Sequence, residues 1–288
     1  MNKPILVTGA SGFIGSHLTR ALEAAGHSVY RHSAKIGNIA SCPLEYKGVQ
    51  HVYHLAAKTF VPDSWISPLG FYETNVMGTI NVLEFCRREG ASATMVSSYI
   101  YGKPDRVPIG EDHPVRPSNP YSHTKILCEQ ATRYYVMQFG VRAAIVRPFN
   151  IYGPGQESRF LVPKLIRQMI DPVSDGIAIA DPRPRRDYIY VSDLVTLLIS
   201  MIGVGGAATF NAGSGESFSI GHLVGELRLL TGIDKPLRAS GERRPEEVLD
   251  AVADVSKAKR ELRWSPQVSL RDGLSKTIEW MRSHGDQR

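Results

Sequence analysis

Cysteine is scarce in this 288-residue chain: Cys42, Cys86 and Cys128 are odd in number and far apart. They lack the paired spacing of a zinc site and the even count of a disulfide framework, so neither is expected and free thiols in a reducing cytoplasm are. Long apolar runs are missing as well. The longest candidate, "LVTLLISMIGVGGAA" from Leu194, is short and interrupted by glycine, which suits a buried helix and excludes a spanning segment. A strand-like run begins at Pro4, leaving no room for a signal peptide. Cytoplasmic residence without a membrane partner is therefore expected. Aromatic residues are few, at 8%, and form no ladder, so the formal charge of +6 does not point to nucleic acid. Its concentrated parts, "RPRR" at 183–186 and "RASGERR" at 238–244, suit an anionic small molecule better.

What is present is an ordinary globular composition, 42% apolar and 22% charged. "ILVTGASGFIGSHLTRALEAAGHSVY" runs from a buried strand (Ile5–Val7) through a glycine-rich turn into an amphipathic helix over 13–25, with Gly26 at its end. Gly9, Gly12 and Gly15 permit a tight turn and a close approach of backbone to a pyrophosphate, whose charge meets the helix N-terminus. A dinucleotide site is the expectation. An acid at the end of the second strand would hold the adenosine ribose, and none is found there. Arg31, His32, Ser33 and Lys35 stand in its place, and Arg31 and Lys35 suit a 2′-phosphate, favouring NADP over NAD.

"PSNPYSHTKILCEQ" (117–130) carries a second signal. Ser118 or Asn119 can cap a helix and Pro120 suits its first turn. Tyr121 and Lys125 then lie one turn apart on one face, with an ammonium beside a phenol. Alone, a Y-x-x-x-K spacing is weak. It gains weight from its neighbours. "VYHLAAK" (52–58), "NVMGTINVLEFCRREG" (75–90) and "MVSSYIYG" (95–102) precede it in order. "VRPFNIYGPGQ" (146–156), "RRDYIYVSDLV" (185–195), "RRPEEV" (243–248) and "DVSKAKRELRWSP" (254–266) follow. Across nearly its whole length the chain resembles the extended short-chain dehydrogenase/reductase family, the branch of nucleotide-sugar epimerases, dehydratases and ketoreductases.

That resemblance implies a Rossmann-type α/β fold, a doubly wound parallel sheet with a smaller C-terminal α/β substrate lobe. The cofactor domain would span 1–153 and 188–213, and the substrate lobe 154–187 and 214–288. It makes Tyr121 the acid/base, Lys125 its charged neighbour and a ligand of the nicotinamide ribose, and Ser97 the hydroxyl that orients the reacting oxygen. Gly9, Gly12, Phe13, Ile14 and Gly15 would meet the cofactor at its turn. Ala56, Ala57 and Lys58 would lie along it, with Asn75 bracing the loops and Phe149 near the nicotinamide. Asn150, Arg186 and Arg244 would hold the diphosphate of a nucleotide-sugar substrate; for Arg186 the competing reading is an ion pair with Asp187. No metal is implied, and a homodimer through the helices at 71–89 and 121–139 is.

Two departures narrow the activity. Dehydratases of the family carry an Asp–Glu or Ser–Glu pair directly after the catalytic hydroxyl, where this chain has Ser98 and Tyr99 and no carboxylate. Between Ser33 and Val49 the chain is too short for the additional strand and the adenine-contacting motif that relatives often place there. The basic strand end and "HLAAKTFVPDSW" resemble GDP-4-keto-6-deoxymannose reductases, so the leading expectation is an NADPH-dependent 4-keto-6-deoxy-hexose reductase. A 4-epimerase with tightly held NAD is the alternative, and a non-catalytic NAD(P)-binding sensor is the third.

Overall fold

The computed structural model describes residues 3–242 and 248–285. Its centre is a six-stranded, wholly parallel sheet. Strands β1 (Ile5–Thr8), β2 (Val29–His32), β3 (His51–His54), β4 (Ser92–Val96) and β5 (Ala143–Pro148) are joined by a late strand, Thr209–Ala212. Their spatial order is Thr209–Ala212, β5, β4, β3, β1, β2.

Side-chain alternation explains why both faces are covered. Ile5 and Val7 point into a cluster with Leu18 and Leu22 of the helix Phe13–Ala24 and Leu194 and Leu198 of the helix Val191–Ser200. Leu6, between them, points the other way, to Val82, Leu83 and Phe85 of the helix Gly78–Glu89. Ala144 and Val146 against Ala143 and Ile145 repeat the pattern on β5. Strands buried on both faces need helices on both sides, the doubly wound arrangement expected from the sequence.

The chain steps from β1 to β2 in one direction and then to β3 and β4 in the other. The strand order reverses at β1, which leaves a crevice beyond its C-terminal end, the place where such sheets bind ligands. As the sequence anticipates, 33–50 contains turns and no strand, so β2 forms the sheet edge. This short loop is pinned from within: Asn81 Nδ2 donates to the carbonyls of Ile39 and Cys42, and His32 Nε2 meets the Gly37 carbonyl at 3.1 Å.

The long helix expected over 75–90 is instead composite. A π-helical turn, Tyr72–Met77, precedes the α-helix Gly78–Glu89. Such widened turns cluster at functional sites, and this one carries Asn75. The helix Pro120–Phe139 starts at an Asn119 cap: its side chain accepts from Ser122 N at 2.8 Å while Ser122 Oγ reaches back to Asn119 N at 3.2 Å. Beyond β5 the chain forms three small sheets. Asn150–Tyr152 pairs with Tyr188–Tyr190, Ile177–Ile179 with Leu237–Ala239, and Arg185–Arg186 lies between Phe218–Ser219 and Asp250–Ala251. Trp264 closes this half onto the sheet, its indole N–H donating to the Asp193 carbonyl at 3.1 Å. No helix among the described residues is long and apolar enough to cross a membrane.

Two histidines on β3 are enclosed by hydroxyls. His51 meets Ser92 Oγ (2.7 Å) and Thr94 Oγ1 (3.0 Å), and His54 meets Thr8 Oγ1 (2.8 Å) and Thr79 Oγ1 (3.2 Å). Hydroxyls satisfy both ends of a neutral ring, and burial pushes each imidazole down to about 3. The unfolded chain therefore binds protons near pH 6.5 that the fold refuses, and stability falls as pH drops towards 3. Going from pH 7 to pH 5 is expected to cost about 4 kcal/mol for the pair, measured by urea unfolding. A stability unchanged between those pH values would show that the rings titrate normally.

Candidate active site

The crevice is a cavity of about 470 Å³, a volume suited to small-molecule ligands. Gly9, Gly12, Phe13, Ile14 and Gly15 form one wall. Gly9 has a positive φ of 69°, and a Cβ there would sit 2.8 Å from the Ala56 backbone nitrogen. A Cβ on Gly15 would lie 2.1 Å from the Gly9 carbonyl oxygen. Glycine is required at both places for β1, the turn and the helix to approach each other. The helix Phe13–Ala24 has no side-chain cap and no acid in its first turn, so its first backbone N–H groups face the cavity uncompensated. This wall fits the pyrophosphate of a dinucleotide such as NAD.

Ser97, Tyr121 and Lys125 line the same cavity from two elements. Ser97 follows β4 directly and is 6% exposed, with no hydrogen-bond partner for its buried Oγ among the described residues. Tyr121 and Lys125 occupy the first two turns of Pro120–Phe139. The Tyr121 ring packs edge-on against Phe71, and Lys125 Nζ donates to the Val96 carbonyl at 2.9 Å, which ties the helix to the end of β4. Ala57, Phe149 and Asn150 also line the cavity. Asn75 stands behind it, 1% exposed: its Oδ1 accepts from Lys58 N (2.8 Å), and its Nδ2 donates to Lys58 O (3.1 Å) and Thr124 Oγ1 (3.0 Å). One buried amide thus joins the loop after β3 to the Tyr121 helix.

A buried ion pair supports this assembly. Arg147 on β5 donates to Glu129 of the Tyr121 helix through Nε (2.8 Å) and Nη2 (2.7 Å). Its Nη1 reaches Tyr101 OH and the Glu111 carbonyl, both at 3.1 Å.

Other sequence candidates lie off the cavity wall. Arg31 is exposed and held by Glu23, with Nη2 2.6 Å from Oε2 and Nε 3.2 Å from Oε1. Lys35 and Lys58 are exposed, and Ala56 lies beneath the Gly9 turn. Arg186 donates to the carbonyls of Arg185 and Val248. Asp187 is turned away from it: its oxygens accept from Ser214 N and Oγ, Gly215 N and Ala253 N. Arg244 lies outside the described residues.

The structure adds wall residues to which motif reading assigns no binding role, among them Thr59, Ser98, Gln156, Glu157, Phe160 and Tyr188. Two of them resemble Ser97 in having a buried polar atom without a partner, Gln156 Oε1 and Tyr188 OH. Gln156 is anchored by its other end, Nε2 donating to the Ile151 carbonyl at 2.9 Å. Strand alternation in "RRDYIY" was the available signal for Tyr188, since positions 186 and 188 share a face. Glu157 is the one carboxylate on the wall among the described residues, and Arg159 holds it at 2.6 Å.

Gly15→Ala is expected to break the turn, because backbone carbonyls cannot yield as a flexible side chain does. Dinucleotide binding measured by calorimetry should disappear and the melting temperature should fall. Full binding with unchanged melting would refute the close-approach argument.

Comparison with known proteins agrees with this geometry. A UDP-glucose 4-epimerase from Azospirillum brasilense is 32% identical over 97% of this chain and 92% of its own length. The solved structure of MoeE5 in complex with UDP-glucuronic acid and NAD superimposes with a TM-score of 0.88, at 31% identity over 97% of this chain and 99% of that one. TunA, an NAD-dependent NDP-hexosamine 5,6-dehydratase involved in tunicamycin biosynthesis, superimposes with a TM-score of 0.91 at 28% identity, both chains covered completely (100%). The model of the NAD dependent epimerase/dehydratase family matches residues 5–221, a span that includes every residue lining the cavity, and the chain belongs to that family.

Proposed function

We propose that this enzyme is a nucleoside-diphosphate-sugar 4-epimerase that keeps NAD bound between turnovers. The observation that carries the reading is the set Ser97, Tyr121 and Lys125 on one cavity with the glycine turn, without a free carboxylate beside the Ser97 hydroxyl. The positions after Ser97 are Ser98 and Tyr99, and Glu157 is engaged by Arg159, so the groups that would drive elimination of water are missing from the wall. Arg31 favours NAD over the NADP suggested by the strand end, because its guanidinium already has a carboxylate partner. Relatives solved with NAD support the same choice.

In this reading Gly9, Gly12 and Gly15, with the backbone N–H groups of Phe13 and Ile14, hold the pyrophosphate. Ala57 flanks the cofactor and Phe149 closes over it. Bound NAD supplies a reversible acceptor for the hydrogen on C4. Tyr121 takes the proton of the C4 hydroxyl, assisted by the positive charge of Lys125, and returns it at the end of the cycle. Ser97 Oγ, unpartnered in the protein, hydrogen-bonds the same oxygen and keeps it in line with Tyr121. Asn150, Arg186 and Arg244 hold the diphosphate.

A 4-keto-6-deoxy-sugar reductase is the second reading. The exposed Lys35 at the end of β2 supports it, as a charge available to a 2′-phosphate. A homodimer through the helices at 71–89 and 121–139 belongs to either reading, and the exposed Met77, Tyr134 and Met137 support it. Light scattering should give about twice the chain mass.

The deciding experiment releases the co-purifying nucleotide by heat and assays UDP-glucose to UDP-galactose conversion by NMR. Near-stoichiometric NAD with conversion is the expected result. An empty site, with NADPH consumed only in the presence of a 4-keto-6-deoxy nucleotide sugar, would establish the reductase. Tyr121→Phe should lower kcat by roughly 10³-fold with NAD still bound, the scale of a lost general acid/base.

A further inference from the structure

Tyr188 is 3% exposed, lines the cavity, and carries a hydroxyl without a hydrogen-bond partner among the described residues. Leaving a buried hydroxyl unpaired costs free energy, and beside a cavity a bound ligand can supply the missing partner. Its surroundings indicate what that is. Asp187 is turned to the opposite side, where four donors hold it, so Arg186 and Tyr188 project to the same face of the strand. Across the small sheet Tyr188 stands in register with Asn150, whose side chain shares that face and also lines the cavity. Burial raises the affinity of the Tyr188 phenol for its proton, with the charge of Arg186 acting the other way. The hydroxyl therefore remains a neutral donor.

We infer that Tyr188 is a substrate-binding residue, its hydroxyl donating to a phosphate oxygen of the nucleoside diphosphate between Asn150 and Arg186. The inference rests on reading the cavity as a nucleotide-sugar site. Phosphate matches this face because it offers several acceptors and no donor at neutral pH, whereas a sugar hydroxyl would bring a donor as well. The role is binding rather than chemistry, since Ser97, Tyr121 and Lys125 already serve the reacting oxygen.

The test is Tyr188→Phe, which keeps the ring and its edge-on contact with Tyr152 while removing the oxygen. NAD-loaded wild type and variant are titrated with UDP, dTDP and GDP by calorimetry, and both are melted without nucleotide. A binding loss of tenfold or more for the preferred nucleoside diphosphate is expected, with unchanged NAD affinity and a melting temperature equal to or above that of wild type. A merely structural hydroxyl would lower the melting temperature instead, and that result overturns the inference. Unchanged diphosphate affinity in the variant also overturns it, as does a loss seen with UDP-glucose but not with UDP, which would move the contact to the sugar. If wild type itself binds none of the three diphosphates, the substrate reading fails and the assignment of Tyr188 with it, an outcome visible before the variant is compared.

Discussion

The Glu129–Arg147 pair is the joint on which the site depends. Glu129 lies one turn beyond Lys125 on the Tyr121 helix, and Arg147 lies on β5 two residues before Phe149. Both side chains are almost wholly enclosed, at 5% and 6% exposure for Arg147 and Glu129, and two parallel hydrogen bonds join them. Such a pair adds little net stability over a well-packed apolar contact, but loss of one partner strands a buried charge and costs about 3–5 kcal/mol. Its main consequence here is positional. It fixes the rotation of the helix that presents Tyr121 and Lys125 relative to the strand that leads into Phe149 and Asn150. Through Tyr101, whose hydroxyl donates to Asn211 Oδ1 at 2.6 Å, it also reaches the segment that begins with Ser97 and the last strand of the sheet.

Parallel strands place the remaining parts. The glycine turn follows β1, the Leu55–Lys58 loop follows β3, Ser97 follows β4 and Phe149 follows β5, so all four emerge at one edge of the sheet. Loops from the same edge would still be mobile unless tied together. Asn75 ties the Leu55–Lys58 loop to the Tyr121 helix with three hydrogen bonds from a single amide, and Lys125 Nζ caps the end of β4 at Val96. The π-turn that carries Asn75 is the local irregularity through which the helix and the Lys58 loop meet.

Much of this was readable in the residues. The order strand, glycine turn, helix at 5–24 follows from apolar run, φ requirements and periodicity, all local properties, and the loss of a strand after β2 followed from the few residues available between Ser33 and Val49. The cap was likewise legible to within Ser118 or Asn119, because capping chemistry is confined to a few consecutive residues, and the fold uses Asn119. The π-turn at 72–77 was not, because helix propensity does not distinguish a widened turn from an α-helical one.

The sequence by itself determined the fold class, the glycine turn, and the face that Tyr121 shares with Lys125, since each depends on spacing along one element. Tertiary structure alone decided which charges were already occupied and which polar atoms were left without partners. Arg31 is paired with Glu23, eight residues away in the chain at the end of the first helix, a contact that no local pattern announces. Motif reading assigns Tyr188 no role, and the fold sets it on the cavity wall with a buried hydroxyl unpaired among the described residues. Hydrogen-bond satisfaction depends on three-dimensional neighbours, and no local pattern encodes it.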